Sequence, residues 1–187
     1  MYRNRAVEAA GRWAGGFTLV ELMVVIALLA GLGFYAAPVA EQWRVRERVY
    51  ARTRALLGAL TFARAEAVRL GVRVTLCRAG DTGQCLRAGE PCDAVGRSCG
   101  WVVRAHVDDH VHVLRRYPRD AEVLVTGAAR DLSFAPPAGQ VAGGLRRFDL
   151  RPRKVMFAAD DTRSSRCVRI AAGGRARVAN GRCEAVS

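Results

Sequence analysis

Gly15-Gly16-Phe17-Thr18-Leu19-Val20-Glu21-Leu22-Met23-Val24-Val25-Ile26-Ala27-Leu28-Leu29 decides how the rest of this chain is read. Two glycines end a short basic leader, and an apolar run follows with one carboxylate near its start. From Leu22 to Ala40 there are 19 residues without a charge, long enough for a helix to cross a hydrocarbon core of about 30 Å. Glu21 stands at the edge of that run. A carboxylate inside a bilayer costs roughly 2.5–3.5 kcal/mol on insertion scales, so it marks function and implies a partner. The leader, residues 1–16, holds Arg3, Arg5 and Arg12 against Glu8. That excess places the N-terminus on the cytoplasmic side by the positive-inside bias, against the pull of the equally basic Arg44, Arg46 and Arg48 beyond the run. A secretory signal would have its small-residue cut site after the apolar core. Here the candidate cut site lies before it.

The helix is expected to continue past the membrane. Val45, Val49, Leu56, Leu60, Ala63, Ala67 and Leu70 recur at helical spacing, with Glu41, Arg44, Arg48 and Arg52 off the stripe. Gly71 is a plausible stop. Pro38, with Gly31 and Gly33, predicts a kink or a segment able to melt. After Gly71 the period changes from 3.6 to 2. Strands are expected at Val72–Leu76, Gly100–Val103, Val111–Leu114, Val123–Val125, Leu132–Phe134, Phe148–Leu150 and Val155–Phe157, then a hairpin of Cys167–Ile170 and Arg175–Val178 about Gly173-Gly174. The fold class is therefore α+β: a long N-terminal helix, its first half transmembrane, packed on a small antiparallel sheet domain. Its expected divisions are a leader over 1–16, a membrane or filament-core helix over 17–40, an amphipathic continuation over 41–71 and a β-rich domain over 72–187.

The 187 residues carry a formal net charge of +13, of which +11 lies beyond the leader. Such a balance favours polyanions or acidic surfaces. A composition biased toward arginine, with Lys154 the one lysine, explains it equally well. Six cysteines, Cys77, Cys85, Cys92, Cys99, Cys167 and Cys183, all follow the apolar run and should be oxidised outside the cytoplasm. No C-x-x-C occurs, which argues against a zinc ribbon. The first four allow three pairings, while Cys167 and Cys183 flank the last hairpin, where a bridge is sterically reasonable. His106, Asp108, His110 and His112 share parity and would line one face of a single strand as a metal site. Asp108-Asp109 more naturally turns the chain there and breaks that face. No G-x-S-x-G and no P-loop is present, so neither catalysis nor a cofactor or metal is expected.

Gly16-Phe17-Thr18-Leu19-Val20-Glu21 resembles the type IV prepilin motif, in which a dedicated peptidase cuts after the glycine. The resemblance implies a mature N-terminus at Phe17, N-methylated, with Glu21 as the fifth mature residue. In such filaments that glutamate pairs with the terminal amine of a neighbouring subunit, and a proline at the place of Pro38 is common. Further on, "VTLC", "GWVV", "VLRR", "LSFAPPAG", "RFDL", "RCVRI" and "GRARV" follow in the order of minor pilins and pseudopilins of the GspH/FimT class. By that resemblance Cys77 pairs with Cys85 and Cys92 with Cys99, the rival being Cys77–Cys99 with Cys85–Cys92. Many relatives have a cysteine where this chain has Arg151, so Cys167 takes over as partner of Cys183.

Arg163, Arg166, Arg169, Arg175, Arg177 and Arg182 fall in 20 residues with no acid. Arg175 and Arg177 are two apart and share a strand face. Two glycines precede them and let backbone approach a ligand. Arginine presents a planar fork suited to phosphate. Gly174-Arg175-Ala176-Arg177 resembles the G-R-x-R element of DNA-binding FimT-like pilins. That likeness implies sequence-independent, salt-sensitive contact with DNA during uptake, through Gly174, Arg175, Arg177, Arg169, Arg166 and Arg182. Arg166 and Arg169 can both join Arg175 only if the hairpin register brings them together. The alternative is a GspH-like pseudopilin of type II secretion, or a FimU-like priming subunit, that acts through protein contacts alone. Either way the implied partners are other pilin subunits, the prepilin peptidase and the inner membrane. The globular part would be periplasmic and then displayed on an extracellular filament.

Overall fold

The computed structural model describes residues 18–80, 83–87, 90, 92, 99–108, 110–127, 131–142, 146–154 and 163–183. Gly16, Phe17 and the expected strand at Val155–Phe157 lie outside them. The chain divides into two units between Glu41 and Gln42, and one helical element, α1 (Leu19–Leu70), runs through that boundary. In the first unit Thr18 caps the helix: its hydroxyl accepts the Glu21 backbone N–H at 3.2 Å. Thr18-Leu19-Val20-Glu21 thus follows the spacing of a capping box, with the acid in the first turn, where the helix dipole favours it. Leu19, Val20, Leu22, Met23 and Ile26 are all more than half exposed. Among the described residues no single helix is long and apolar enough to cross a membrane, while the pair Leu19–Phe34 and Val39–Leu70, with a break between them, passes the same test together. The break lies between Phe34 and Val39, beside Pro38, where the sequence predicts a kink.

In the second unit the remainder of α1 supplies a buried stripe of Val49, Leu56, Ala59, Leu60, Ala63 and Ala67. Gly71, at φ +67°, ends the helix in the left-handed conformation that a side chain would resist. Leu70, expected on the stripe, is exposed, and Arg52, expected off it, is buried. The Arg52 guanidinium donates to the carbonyls of Pro118 at 2.5 Å and Cys99 at 2.6 Å and lies 3.7 Å over the Trp101 ring. Burial pulls its pKa down to about 10, and the Asp120 carboxylate partly offsets that. It therefore stays charged at neutral pH.

Among the described residues nine strands follow: β1 (Val74–Ala79), β2 (Gly100–Val107), β3 (His110–Tyr117), β4 (Val123–Gly127), β5 (Asp131–Ala135), β6 (Gln140–Val141), β7 (Arg146–Pro152), β8 (Arg166–Ile170) and β9 (Ala176–Asn180). They form two antiparallel sheets, in the orders β3-β2-β1-β5-β6 and β4-β7-β8-β9. Alternation decides which face each sheet turns inward. Val74 and Leu76, Trp101, Val103 and Ala105, Leu132 and Phe134 join the helix stripe from the first sheet. Val123, Phe148, Leu150, Val168 and Ile170 join it from the second, in one continuous core. Among the described residues, every buried apolar side chain lies between Val49 and Ile170, within the second unit.

Three disulfides close the domain: Cys77–Cys85, Cys92–Cys99 and Cys167–Cys183. The first two are the pairing implied by the resemblance. Asp108, at φ +46°, turns β2 into β3. His106 pairs with Val111, whereas His112 pairs with Ala105 and His110 with Val107. His106 therefore faces the opposite side of the sheet from His110 and His112. Among the described residues no three His, Cys, Asp or Glu side chains are placed to hold a metal ion.

A candidate nucleic-acid interface

Phe148 and Leu150 on β7, and Val168 and Ile170 on β8, point into the core. The residues that alternate with them must then face outward, Arg147 and Arg169 included. The register sets Arg147 opposite Arg169, and Arg169 opposite Arg177. Three arginines therefore stand in one row across β7, β8 and β9. Adjacent strands are about 4.8 Å apart, so the row spans about 10 Å. Arg175, two residues before Arg177, continues the same face. Arg169, Arg175 and Arg177 are exposed and Arg147 is half-buried. Among the described residues no carboxylate pairs with Arg169, Arg175 or Arg177. Like charges directly opposite one another on a sheet are destabilising, so the Arg169–Arg177 pair favours an anion laid across it.

The other arginines of the basic window stand apart from it. Arg166 has the opposite strand parity, facing Asn180 and Leu150. Its guanidinium folds back on the carbonyls of Arg163 at 2.9 Å and Ser165 at 2.7 Å. Arg182 follows β9 and lies 3.9 Å from the Asp149 carboxylate, which shares part of its charge. Next to it the Cys183 sulfur lies 3.4 Å from the Phe148 carbonyl. The Cys167–Cys183 bridge thereby holds the segment after β9 against the outer face, one cross-strand row from the arginines.

The turn that carries Arg175 is braced from below. The Gly174 N–H donates to Ala171 O at 2.8 Å, the Ala171 N–H to Arg175 O at 3.1 Å, and the Val141 N–H to Ala172 O at 2.9 Å. The last bond joins the turn to the other sheet. Gly174 is buried, at φ +77°, and a Cβ there would stand 2.2 Å from the Gly139 carbonyl oxygen. Its missing side chain therefore admits the 136–139 turn of the protein itself. The outer face of the first sheet, by contrast, brings Arg73, Arg104 and His106 around Thr75 and Ser133. There Arg104 has Asp131 at 3.8 Å and the two hydroxyls satisfy each other at 2.9 Å, so its charge is more nearly balanced.

The family model described as Type II transport protein GspH matches residues 52–174, about two thirds of the chain. The chain belongs to the GspH family. Residues 14–30 match the prokaryotic N-terminal methylation motif, and a GspH-family chain with that motif is a type IV minor pilin or pseudopilin, a membrane-anchored subunit that assembles with other pilins. No curated protein matches it in sequence. Among solved structures it is similar to the Pseudomonas aeruginosa type IV minor pilin FimU in two crystal forms. The first has 16% identity and a TM-score of 0.47 and covers 78% of this chain and 92% of that one. The second has 16% identity and a TM-score of 0.45, with coverages of 73% and 91%.

Sequence reasoning missed Arg147, Arg64 and Arg52. The Arg146-Arg147 pair ahead of Phe148-Asp149-Leu150 was the available signal for the first, since alternation alone turns one of the two outward. Nothing in the sequence sets Arg64 apart from the other arginines of the helix. Arg52 sits where the stripe skips from Val49 to Leu56, a gap that a buried polar residue fills.

Proposed function

We propose that this GspH-family subunit is cut after Gly16, methylated on Phe17 and built into a type IV filament, where it contacts nucleic acid through Arg147, Arg169, Arg175 and Arg177. The observation that carries the nucleic-acid reading is the like-charged cross-strand row of Arg147, Arg169 and Arg177, with Arg175 beside it. Phosphates would neutralise the row without reading sequence, through the planar forks of the guanidinium groups. Gly174 serves by setting the turn, Arg182 adds a flanking cation, and Arg166 contributes by fixing the start of β8. In assembly, the capped first turn presents Glu21 to the methylated amine of a neighbouring subunit, and Pro38 marks where the helix yields. The three disulfides suit a periplasmic and then extracellular domain.

A fluorescent oligonucleotide titrated with the protein at several salt concentrations tests the reading. Binding should weaken linearly in log–log form, with a slope of about −0.7 to −0.9 per phosphate contact. Arg169→Ala with Arg177→Ala should abolish most of it, and no wild-type binding even at low salt would refute it. The family description favours a second reading, a secretion pseudopilin acting through protein contacts. It predicts capture of partner pilins by a protein that ignores DNA. Mass spectrometry of filament-associated protein should find methylated Phe17 at the N-terminus, and an intact Met1 there would overturn the processing step.

A further inference from the structure

Gly139 and Gly174 both adopt positive φ, at +65° and +77°, and both open onto one side chain of α1. A Cβ on Gly139 would lie 2.6 Å from Arg64 Cγ and 3.1 Å from its Nε. One on Gly174 would lie 3.2 Å from Arg64 Cδ and from Nε. The Arg64 stem is thus pressed into a slot made by two glycines far apart in sequence. Its guanidinium donates to the Ala138 carbonyl at 3.3 Å. Three elements meet there: the helix, the turn between β5 and β6, and the turn between β8 and β9. Arg175 is the residue next to Gly174, and its carbonyl already accepts the Ala171 N–H that closes the turn.

We infer that Arg64 is a positioning residue for the nucleic-acid face: it holds the β8–β9 turn, and with it Arg175 and Arg177, at a fixed height on the helix. The inference rests on the nucleic-acid reading above and deepens it. Arg64 acts through packing and one hydrogen bond to backbone, and a phosphate is bound by the strand arginines beside it. A side chain that positions changes affinity without changing how many phosphates are neutralised. A side chain that touches phosphate changes both.

The test uses the full chain in detergent, with Arg64→Ala, Arg64→Lys and, as a phosphate-contact comparator, Arg177→Ala. Amide hydrogen exchange at Val141 and Gly174 reads the turn without any ligand, and fluorescent oligonucleotide titration reads the face. Arg64→Ala should speed exchange at both amides by about tenfold while the β1 and β2 amides keep wild-type rates. It should raise the Kd about three- to tenfold, the scale of one lost hydrogen bond with its packing, with an unchanged salt slope. Arg64→Lys, which keeps most of the stem and a donor, should restore part of both. Arg177→Ala should lower the salt slope by about one contact and leave the exchange rates alone. Unchanged exchange at Val141 and Gly174 in Arg64→Ala refutes the positioning role. So does a salt slope that falls as it does in Arg177→Ala. Should the wild-type chain bind no oligonucleotide, the nucleic-acid reading falls, and the exchange rates still decide whether Arg64 holds the turn.

Discussion

Arg52→Ala tests whether a buried cation helps to hold the domain together. The guanidinium makes two hydrogen bonds to carbonyls and stacks on Trp101. Hydrogen bonds from a charged group contribute about 1.5–3 kcal/mol each, and a desolvated cation–π contact about 2 kcal/mol. Against that stands the burial that lowers its pKa from 12.5 to about 10, a penalty on the charged form of roughly 3 kcal/mol. The net stabilisation is about 2–5 kcal/mol, and truncation also leaves the Cys99 and Pro118 carbonyls without their donor. With a urea m-value of about 2 kcal/mol/M, a loss of 3 kcal/mol lowers the midpoint by about 1.5 M. The assay is urea unfolding of the oxidised Gln42–Ser187 unit, followed by tryptophan fluorescence, with Trp101 buried in the fold and Trp43 already exposed. Arg52→Met separates the contributions, since it keeps the volume and the contact with the ring but supplies no donor. It should recover only a minor part of the loss. If both variants unfold within about 0.3 M of wild type, desolvation cancels the contacts, and the guanidinium stabilises nothing.

Gly174→Ala should cost at least about 2 kcal/mol, because it combines a left-handed φ with a backbone oxygen 2.2 Å from the new Cβ. Gly173→Ala, which meets nothing within 4 Å, should stay within about 0.5 kcal/mol of wild type by thermal melting. Replacing Cys167 and Cys183 by alanine opens a bridge of sequence separation 16 and should lower stability by about 3 kcal/mol in denaturant titration. Reductant should then shift the melting less than it does in the wild type, since only Cys77–Cys85 and Cys92–Cys99 remain to be opened. The Glu66 carboxylate is held below its ordinary value of 4.5 by a hydrogen bond from Arg69. That contribution is present above about pH 4.5 and fades as pH falls through the lowered pKa. Glu66→Gln should lower stability slightly near neutral pH and by less as the pH falls through the acid range, measured by denaturation across it.

The helix, most strands and the hairpin were legible because each is a local pattern. Val49, Leu56, Leu60, Ala63 and Ala67 announce one helix face, and Cys167-Val168-Arg169-Ile170 announces one strand by alternation. Arg169, Arg175 and Arg177 were legible as a set for the same reason, since parity within a hairpin follows from its turn. Arg147 was not, because its place in the row depends on how β7 pairs with β8, a register that no local pattern sets. Arg52 needed Cys99, Pro118 and Trp101, which only the packed sheet delivers to α1. The two glycines at 139 and 174 read as turn residues, as they are. That they face the same arginine is a property of how the two turns meet.

Among the described residues β9 pairs along one side only, with β8, yet it is fastened at both ends. Beyond its final residue, Cys183 is bonded to Cys167 on β8. Before its first, the turn is wedged against Arg64 and bonded to Val141. A long polymer gripped by Arg175 and Arg177 would tug on this strand. A strand anchored only by its ladder would peel away one hydrogen bond at a time, like tape lifted from a corner. With a covalent tether at one end and a wedge at the other, the same tug must stretch the strand as a cord between two posts. Rupture then requires several bonds to fail together, which would suit the nucleic-acid face proposed above.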